Sequence, residues 1–184
     1  PRRESLSDPT VALEAMPSAH DPQGPIKVAY LTYRGKPHVG GQGVYTRHLT
    51  KALVDLGHSV EVFGGQPYPV LDPRVALTKL PSLDLVNDHY PFRFPAVWEL
   101  KTREDFYELG LFLTGTFAEP AAFSARVKRH LSKRTGEFDL VHDNQCLGYG
   151  ILGLEKLIPT IVTLHHPITR DRALEMDHSP NWYK

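Results

Sequence analysis

The sequence has a single cysteine, no excess charge of either sign and no long apolar run. Because Cys146 has no partner for an internal disulfide, the chain is typical of a reducing compartment, and we expect a cytoplasmic location. The 21 basic and 21 acidic side chains cancel, so overall charge indicates neither nucleic acid nor an anionic membrane as a partner. No run is long enough to span a bilayer, which leaves only peripheral contact with the inner face of a membrane.

The length of 184 residues, with 41% hydrophobic side chains, suits one globular domain. Residues 1–25 carry five prolines among small and charged residues and contain no stretch that resembles a signal peptide. We therefore expect a flexible leader over residues 1–25 and a folded domain over residues 26–184.

A glycine-rich turn and an amphipathic helix lie near the start of this domain. Residues 26–32 read IKVAYLT, which is typical of a strand buried on both faces of a parallel sheet. The following helix ends at Gly57, where a left-handed cap belongs, and a second strand follows. Its predicted apolar stripe consists of Val44, Tyr45, His48, Leu49, Ala52, Leu53 and Leu56. This order of elements predicts an α/β fold.

The glycines at the helix start suit an anion as well as a tight turn. Without Cβ atoms, Gly40, Gly41 and Gly43 let backbone N–H groups approach a diphosphate, which the positive end of the helix dipole also attracts. The alternative is that they only permit a tight connection between strand and helix. Their spacing matches neither a dinucleotide fingerprint nor a phosphate-binding loop.

Two helices are predicted after a third strand at residues 75–80. Thr102 and Asp105 form a capping box for the first, whose apolar positions are Phe106, Leu109, Leu113 and Phe117. The second begins near Pro120 and has the apolar positions Phe123, Val127 and Leu131. Its remaining surface and its end carry Arg126, Lys128, Arg129, Lys133 and Arg134. These cations indicate either a solvated face or attraction for an anionic acceptor or lipid headgroup.

Polar residues follow two later strands, at the ends where open α/β sheets bind ligands. Residues 138–144, FDLVHDN, place His142 and Asn144 there, although a histidine in such a strand can also be buried with a partner of its own. Residues 160–166 end in His165 and His166. Because adjacent residues of an extended chain point to opposite sides, joint ligation of one metal ion is unfavourable, and we expect no metal site.

The segments GGQGVY and HLTKALVDLGHSVEVF resemble the opening of the retaining family 4 glycosyltransferases. The resemblance covers residues 26–180 and implies the Rossmann-like, mainly parallel N-terminal half of a GT-B enzyme. In that family the double glycine faces the donor diphosphate, which assigns Gly40, Gly41 and Gln42 to that contact. His165 matches the Thr-Xaa-His histidine that bonds a hydroxyl of the transferred sugar, and it is the expected catalytic residue.

The same resemblance implies further contacts to the acceptor or the sugar. His142 matches the first histidine of the family pattern Val-His-Xaa-His, whereas Asn144 replaces the second. The residues expected to make these contacts are Tyr45, His142, Asn144 and His166. No cofactor is expected, because the nucleotide sugar is itself a substrate.

The implied activity is transfer of a sugar from a nucleotide sugar to an acceptor hydroxyl with retention of configuration. The Glu-Xaa7-Glu pattern of the family's C-terminal, nucleotide-binding domain is absent from these residues, so we expect the segment alone to be inactive and to self-associate through the exposed interface. One alternative is a non-catalytic sugar- or nucleotide-binding regulatory module of the same fold. A Rossmann oxidoreductase fits less well, because the second strand ends VFGG without an acidic residue for a ribose.

Overall fold

The protein is described by a computed structural model over residues 24–36, 41–87, 93–146 and 148–165. In these ranges one sheet contains β1 (Lys27–Thr32), β2 (Ser59–Gly64), β3 (Ala76–Lys79), β4 (Leu140–Asn144) and β5 (Thr160–Thr163). The helices are α1 (Gly41–Asp55), α2 (Arg103–Leu113), α3 (Ala118–Leu131) and α4 (Ile151–Leu154), with a 3-10 turn at Val97–Glu99. The strand order is β3-β2-β1-β4-β5 and every pair is parallel. The predicted Rossmann-like α/β fold is confirmed.

The central strand β1 is buried on both faces, as its apolar sequence predicts. Val28 and Tyr30 face one hydrophobic core, against which Leu49 and Leu53 of α1 pack. Ala29 and Leu31 face a second core together with Phe123, Val127 and Leu131 of α3. The predicted apolar face of α3 is therefore confirmed. None of the helices in the described ranges is long and apolar enough to cross a membrane.

The predicted apolar stripe of α1 is only partly correct. Thr46 and Thr50 are fully buried, and their hydroxyls donate to the carbonyl oxygens of Gln42 and Thr46 over 2.7 Å each. These bonds satisfy the hydroxyls inside the helix, so small polar residues can occupy its buried face. The exposed members of the predicted stripe are Val44, Tyr45, His48, Ala52 and Leu56. The predicted cap is confirmed, since Gly57 has a φ of 92°.

The capping box of α2 is confirmed, but its apolar residues do not form the buried face. The backbone N–H of Asp105 donates to Thr102 Oγ1 over 3.3 Å, and the Asp105 carboxylate accepts from the Thr102 N–H over 2.7 Å. The buried side chains are Asp105 and Glu108, whereas Phe106, Leu113 and Phe117 are exposed. The sequence interpretation failed here because α2 meets α3 through an ion pair.

The cation of this ion pair is Arg126, which the sequence had placed on the surface. Its Nη2 lies 2.7 Å from Asp105 Oδ1 and 2.6 Å from Glu108 Oε2, and its side chain is 5% exposed. Burial raises the pKa of Glu108, and the guanidinium only partly offsets this. At Asp105 the guanidinium and the cap hydrogen bonds outweigh burial and lower the pKa. Two carboxylates thus depend on one buried cation.

We predict that Arg126→Leu destabilises the protein by about 3 to 5 kcal/mol, because it leaves both carboxylates buried without a counter-ion. Arg129→Leu is the matched control, since Arg129 lies on the same helix, is 48% exposed on its side chain and pairs with Glu104 over 3.1 Å. The Arg129 guanidinium is half exposed to water, although the Glu104 side chain is 12% exposed, so loss of this pair should cost less than loss of the buried one, about 1 to 2 kcal/mol. Urea denaturation measures both values, and equal losses for the two variants would contradict the assignment.

Candidate functional site

The carboxyl ends of β1, β4 and β5 lie at one edge of the sheet, beside the first turn of α1. β2 pairs with one edge of β1 and β4 pairs with the other. The connections on the two sides of β1 therefore run in opposite directions along the sheet. Such a reversal leaves a crevice at the carboxyl ends of the strands, where open α/β folds bind their ligands. The predicted candidate residues within the described ranges lie at this edge, and several of them are in contact.

His165 follows β5 and is held from three directions. Its Nε2 lies 2.6 Å from Asn144 Oδ1, and its backbone N–H donates to Gln145 Oε1 over 2.8 Å. Tyr45 packs against its ring nearly perpendicularly, with 4.8 Å between the ring centroids. The residue as a whole is exposed, so a ligand in the crevice can reach it.

Asn144 lies behind His165, where its side chain has no exposed surface. Its Nδ2 donates to Thr46 Oγ1 of α1 over 3.3 Å, while its Oδ1 faces His165. The amide therefore links α1, β4 and the end of β5. Thr46 was missed by the sequence interpretation, although a hydroxyl residue within an amphipathic helix was an available signal.

His142 occupies a separate, more buried position on β4. It is 8% exposed, its Nε2 lies 2.7 Å from Thr163 Oγ1, and its ring packs against Tyr30. Burial lowers the pKa of His142, so its ring is neutral at neutral pH. This arrangement agrees with the alternative that His142 is a buried histidine with its own partner, and it does not bring His142 into contact with His165.

The glycines before and within α1 have different surroundings. Among the described residues, a Cβ atom on Gly41 would meet nothing within 4 Å, whereas one on Gly43 would come within 2.1 Å of the Lys36 carbonyl oxygen. Gly41 is thus open at the helix start, while Gly43 permits contact between the helix and the segment after β1. Gly40 and His166 lie outside the described residues, and the contacts assigned to them stay predictions.

A cleft of about 630 Å³ begins beside this cluster. Gln42 of α1 and Gln145 after β4 line it near His165, and Cys146 lines its floor. Burial raises the pKa of the Cys146 thiol, so this cysteine is protonated at neutral pH and is a poor nucleophile. The aromatic side chains of the cleft are Tyr33, Tyr107, Phe117 and Tyr149. Sequence reasoning missed this cleft because its lining comes from distant segments that share no periodic pattern.

Comparison with known proteins identifies the family of the chain. Residues 39–184 match the family described as Glycosyltransferase Family 4, and the chain belongs to that family. It is also 55% identical over 161 residues to a protein named "MMP alpha-(1->4)-mannosyltransferase" from Mycolicibacterium hassiacum. The alignment covers 86% of this chain but 39% of the relative. The chain therefore spans about two fifths of the length of that relative.

We predict that Gly43→Ala lowers the free energy of unfolding by about 1 to 3 kcal/mol, because the added methyl group overlaps the Lys36 carbonyl and forces the backbone to move. Gly41→Ala is the matched control, since its methyl group enters open space and alanine favours a helix. Thermal and urea denaturation compare the two variants. A Gly43→Ala protein as stable as Gly41→Ala would show that this contact has no energetic weight.

Proposed function

We propose that this chain is the N-terminal, acceptor-side domain of an enzyme that transfers a sugar from a nucleotide sugar to an acceptor hydroxyl with retention of configuration. The observation that carries the proposal is the meeting of His165, Asn144 and the open first turn of α1 at the crevice of a family 4 fold. The relative is more than twice as long as the matched segment. We infer that a C-terminal domain binds the nucleotide and that the present segment alone transfers no sugar.

The transferred sugar in this proposal is mannose. The support is the 55% identity to a protein named as an α-(1→4)-mannosyltransferase. The acceptor is then a saccharide that offers a hydroxyl group for the new linkage. Membership of a glycosyltransferase family disfavours the oxidoreductase alternative, whereas the regulatory-module alternative is decided by whether the full-length protein transfers sugar.

The proposed reaction requires the protein to stabilise a leaving diphosphate. Negative charge grows on that group as the bond to the sugar breaks, and it lies beside the first turn of α1 in our proposal. The first N–H groups of this 15-residue helix, at Gly41 and Gln42, have no acceptor within the helix, and together with its partial positive charge they then favour the transition state. Gly41 suits this place because a side chain there would occupy the open space in front of the helix.

His165 has a positioning role toward the sugar. It lies against Tyr45 of α1, and we place a hydroxyl of the sugar attached to the diphosphate within its reach. Orientation of the reacting sugar lowers the barrier without a covalent intermediate. Tyr45 contacts the imidazole ring nearly perpendicularly, so it borders the part of the crevice where we place the sugar.

The aromatic cleft is proposed to hold the acceptor saccharide. It connects to the transfer site through Gln42 and Gln145, the second of which also holds the His165 backbone. Phe117 and Tyr149 are 89% and 82% exposed, so their faces are free to cover the apolar faces of sugar rings. The volume of about 630 Å³ lies within the usual range for a ligand site.

The central test is transfer by the full-length enzyme. Given nucleotide-linked mannose and a panel of oligosaccharide acceptors, it should extend an acceptor with retention, which NMR of the new anomeric centre reads directly. His165→Ala should reduce turnover roughly ten- to a thousandfold, since lost orientation raises the barrier by about 1.4 to 4 kcal/mol. Nucleoside diphosphate affinity, measured by calorimetry, should stay unchanged. Full turnover by His165→Ala would contradict the assigned role.

A second prediction concerns the length of the acceptor. Tyr149→Ala should raise KM about five- to tenfold for long acceptors and leave the shortest active acceptor unaffected, because burial of one ring face is lost only when a sugar reaches it. Trp98→Ala is the control, since Trp98 is 79% exposed and does not line the cleft. Equal effects on short and long acceptors would place the acceptor elsewhere.

A further inference from the structure

A chain of four hydrogen-bonding groups runs from the first turn of α1 to His165, and its polarity is set at one end. The backbone carbonyl of Gln42 can only accept a hydrogen bond. The Thr46 hydroxyl lies 2.7 Å from it and therefore donates. With its proton committed to Gln42, the Thr46 oxygen can only accept from a neighbouring group.

One such neighbour is Asn144, whose Nδ2 donates to the Thr46 hydroxyl oxygen over 3.3 Å. The Tyr30 hydroxyl also lies near Thr46, and it can share this oxygen with Asn144 because the oxygen has two lone pairs. The nitrogen end of the amide thus faces α1, and the oxygen end faces His165. A polar side chain with no exposed surface loses hydrogen bonds if it rotates, because no water replaces them. The orientation of the Asn144 amide is therefore a consequence of the Gln42 carbonyl.

The protonation of His165 follows from this orientation. Its Nε2 lies 2.6 Å from the Asn144 oxygen, and two lone pairs at that distance repel, so Nε2 carries the proton. In a neutral imidazole the other nitrogen, Nδ1, then has a free lone pair. The Tyr45 ring and the Gln145 side chain hold the His165 ring and backbone in place around this bond.

We propose that Asn144 is a positioning residue that locks His165 in the Nε2–H tautomer, so that Nδ1 accepts a hydrogen bond from a substrate hydroxyl. The role of Nδ1 rests on the proposed function, whereas the tautomer does not. An asparagine suits this position because its amide donates to Thr46 and accepts from His165 at once. It does so without a buried charge.

The test is ring nitrogen NMR of the full-length enzyme labelled with ¹⁵N-histidine, at a pH where the ring is neutral. His165→Gln identifies the His165 signals by their loss. The wild type should show a protonated Nε2 and an unprotonated Nδ1 at His165. Thr46→Val removes the orienting hydroxyl with little change of shape, and Asn144→Ala removes the whole amide. Both variants should show averaging of the two tautomers.

Two further variants make the test specific. Asn144→Asp keeps an oxygen toward Nε2 and should keep Nε2 protonated, in a neutral or a doubly protonated ring, since a carboxylate also favours the imidazolium. Thr163→Val removes the hydroxyl partner of His142 on the neighbouring strand and should leave the His165 signals unchanged. A protonated Nδ1 in the wild type would overturn the proposal, as would an unchanged tautomer in a folded Asn144→Ala or Thr46→Val protein.

Kinetic measurements test whether the tautomer of His165 affects the proposed transfer reaction. Asn144→Ala should lower kcat roughly ten- to a hundredfold with little change in donor KM, the scale on which loss of an orienting partner acts elsewhere, and Asn144→Asp should recover part of the loss. A purely structural role would instead lower kcat in proportion to the folded fraction, which thermal denaturation measures. Absence of transfer by the wild type would overturn the proposed function, and the ring spectra would still decide the tautomer.

Discussion

The parallel pairing of β1 with both β2 and β4 is the constraint on which the rest of the structure depends. Because β1 is central, its side chains must be apolar on both faces, and the two hydrophobic cores form on opposite sides of it. The same pairing aligns the carboxyl ends of the strands, so α1 begins where β4 and β5 end. Strand order therefore creates the crevice, whichever side chains line it.

Two sets of buried polar side chains organise the described part of this protein, although a buried atom such as Arg126 Nη1 has no hydrogen-bond partner there. Thr46, Asn144 and His165 form one continuous set of hydrogen bonds, and Arg126 neutralises two carboxylates between α2 and α3. Burial of an unpaired polar group costs several kcal/mol on apolar transfer scales, which is why such sets are specific in geometry. In the candidate site this specificity positions one imidazole ring, and between the helices it holds two elements together.

The two sides of the crevice present different kinds of surface. The side that faces the proposed diphosphate is made of open backbone at the start of α1, where Gly41 leaves space. The side that faces the proposed acceptor is made of aromatic surface, supplied mainly by α2 and the segments next to α3 and α4. His165 lies beside the polar end of the cleft, so one chain presents both kinds of surface to the proposed transfer reaction.

The sequence alone determined the α/β fold, the cap at Gly57 and the edge of the sheet where the candidate residues lie. These features depend on local periodicity and on residue types that few conformations accept. Tertiary structure alone decided that Arg126 is buried, that Gly43 packs while Gly41 is open, and that Asn144 holds His165 from behind. Each of these depends on a partner distant in the chain. The local sequence around a charged or amide side chain is the same whether its partner is water or another side chain.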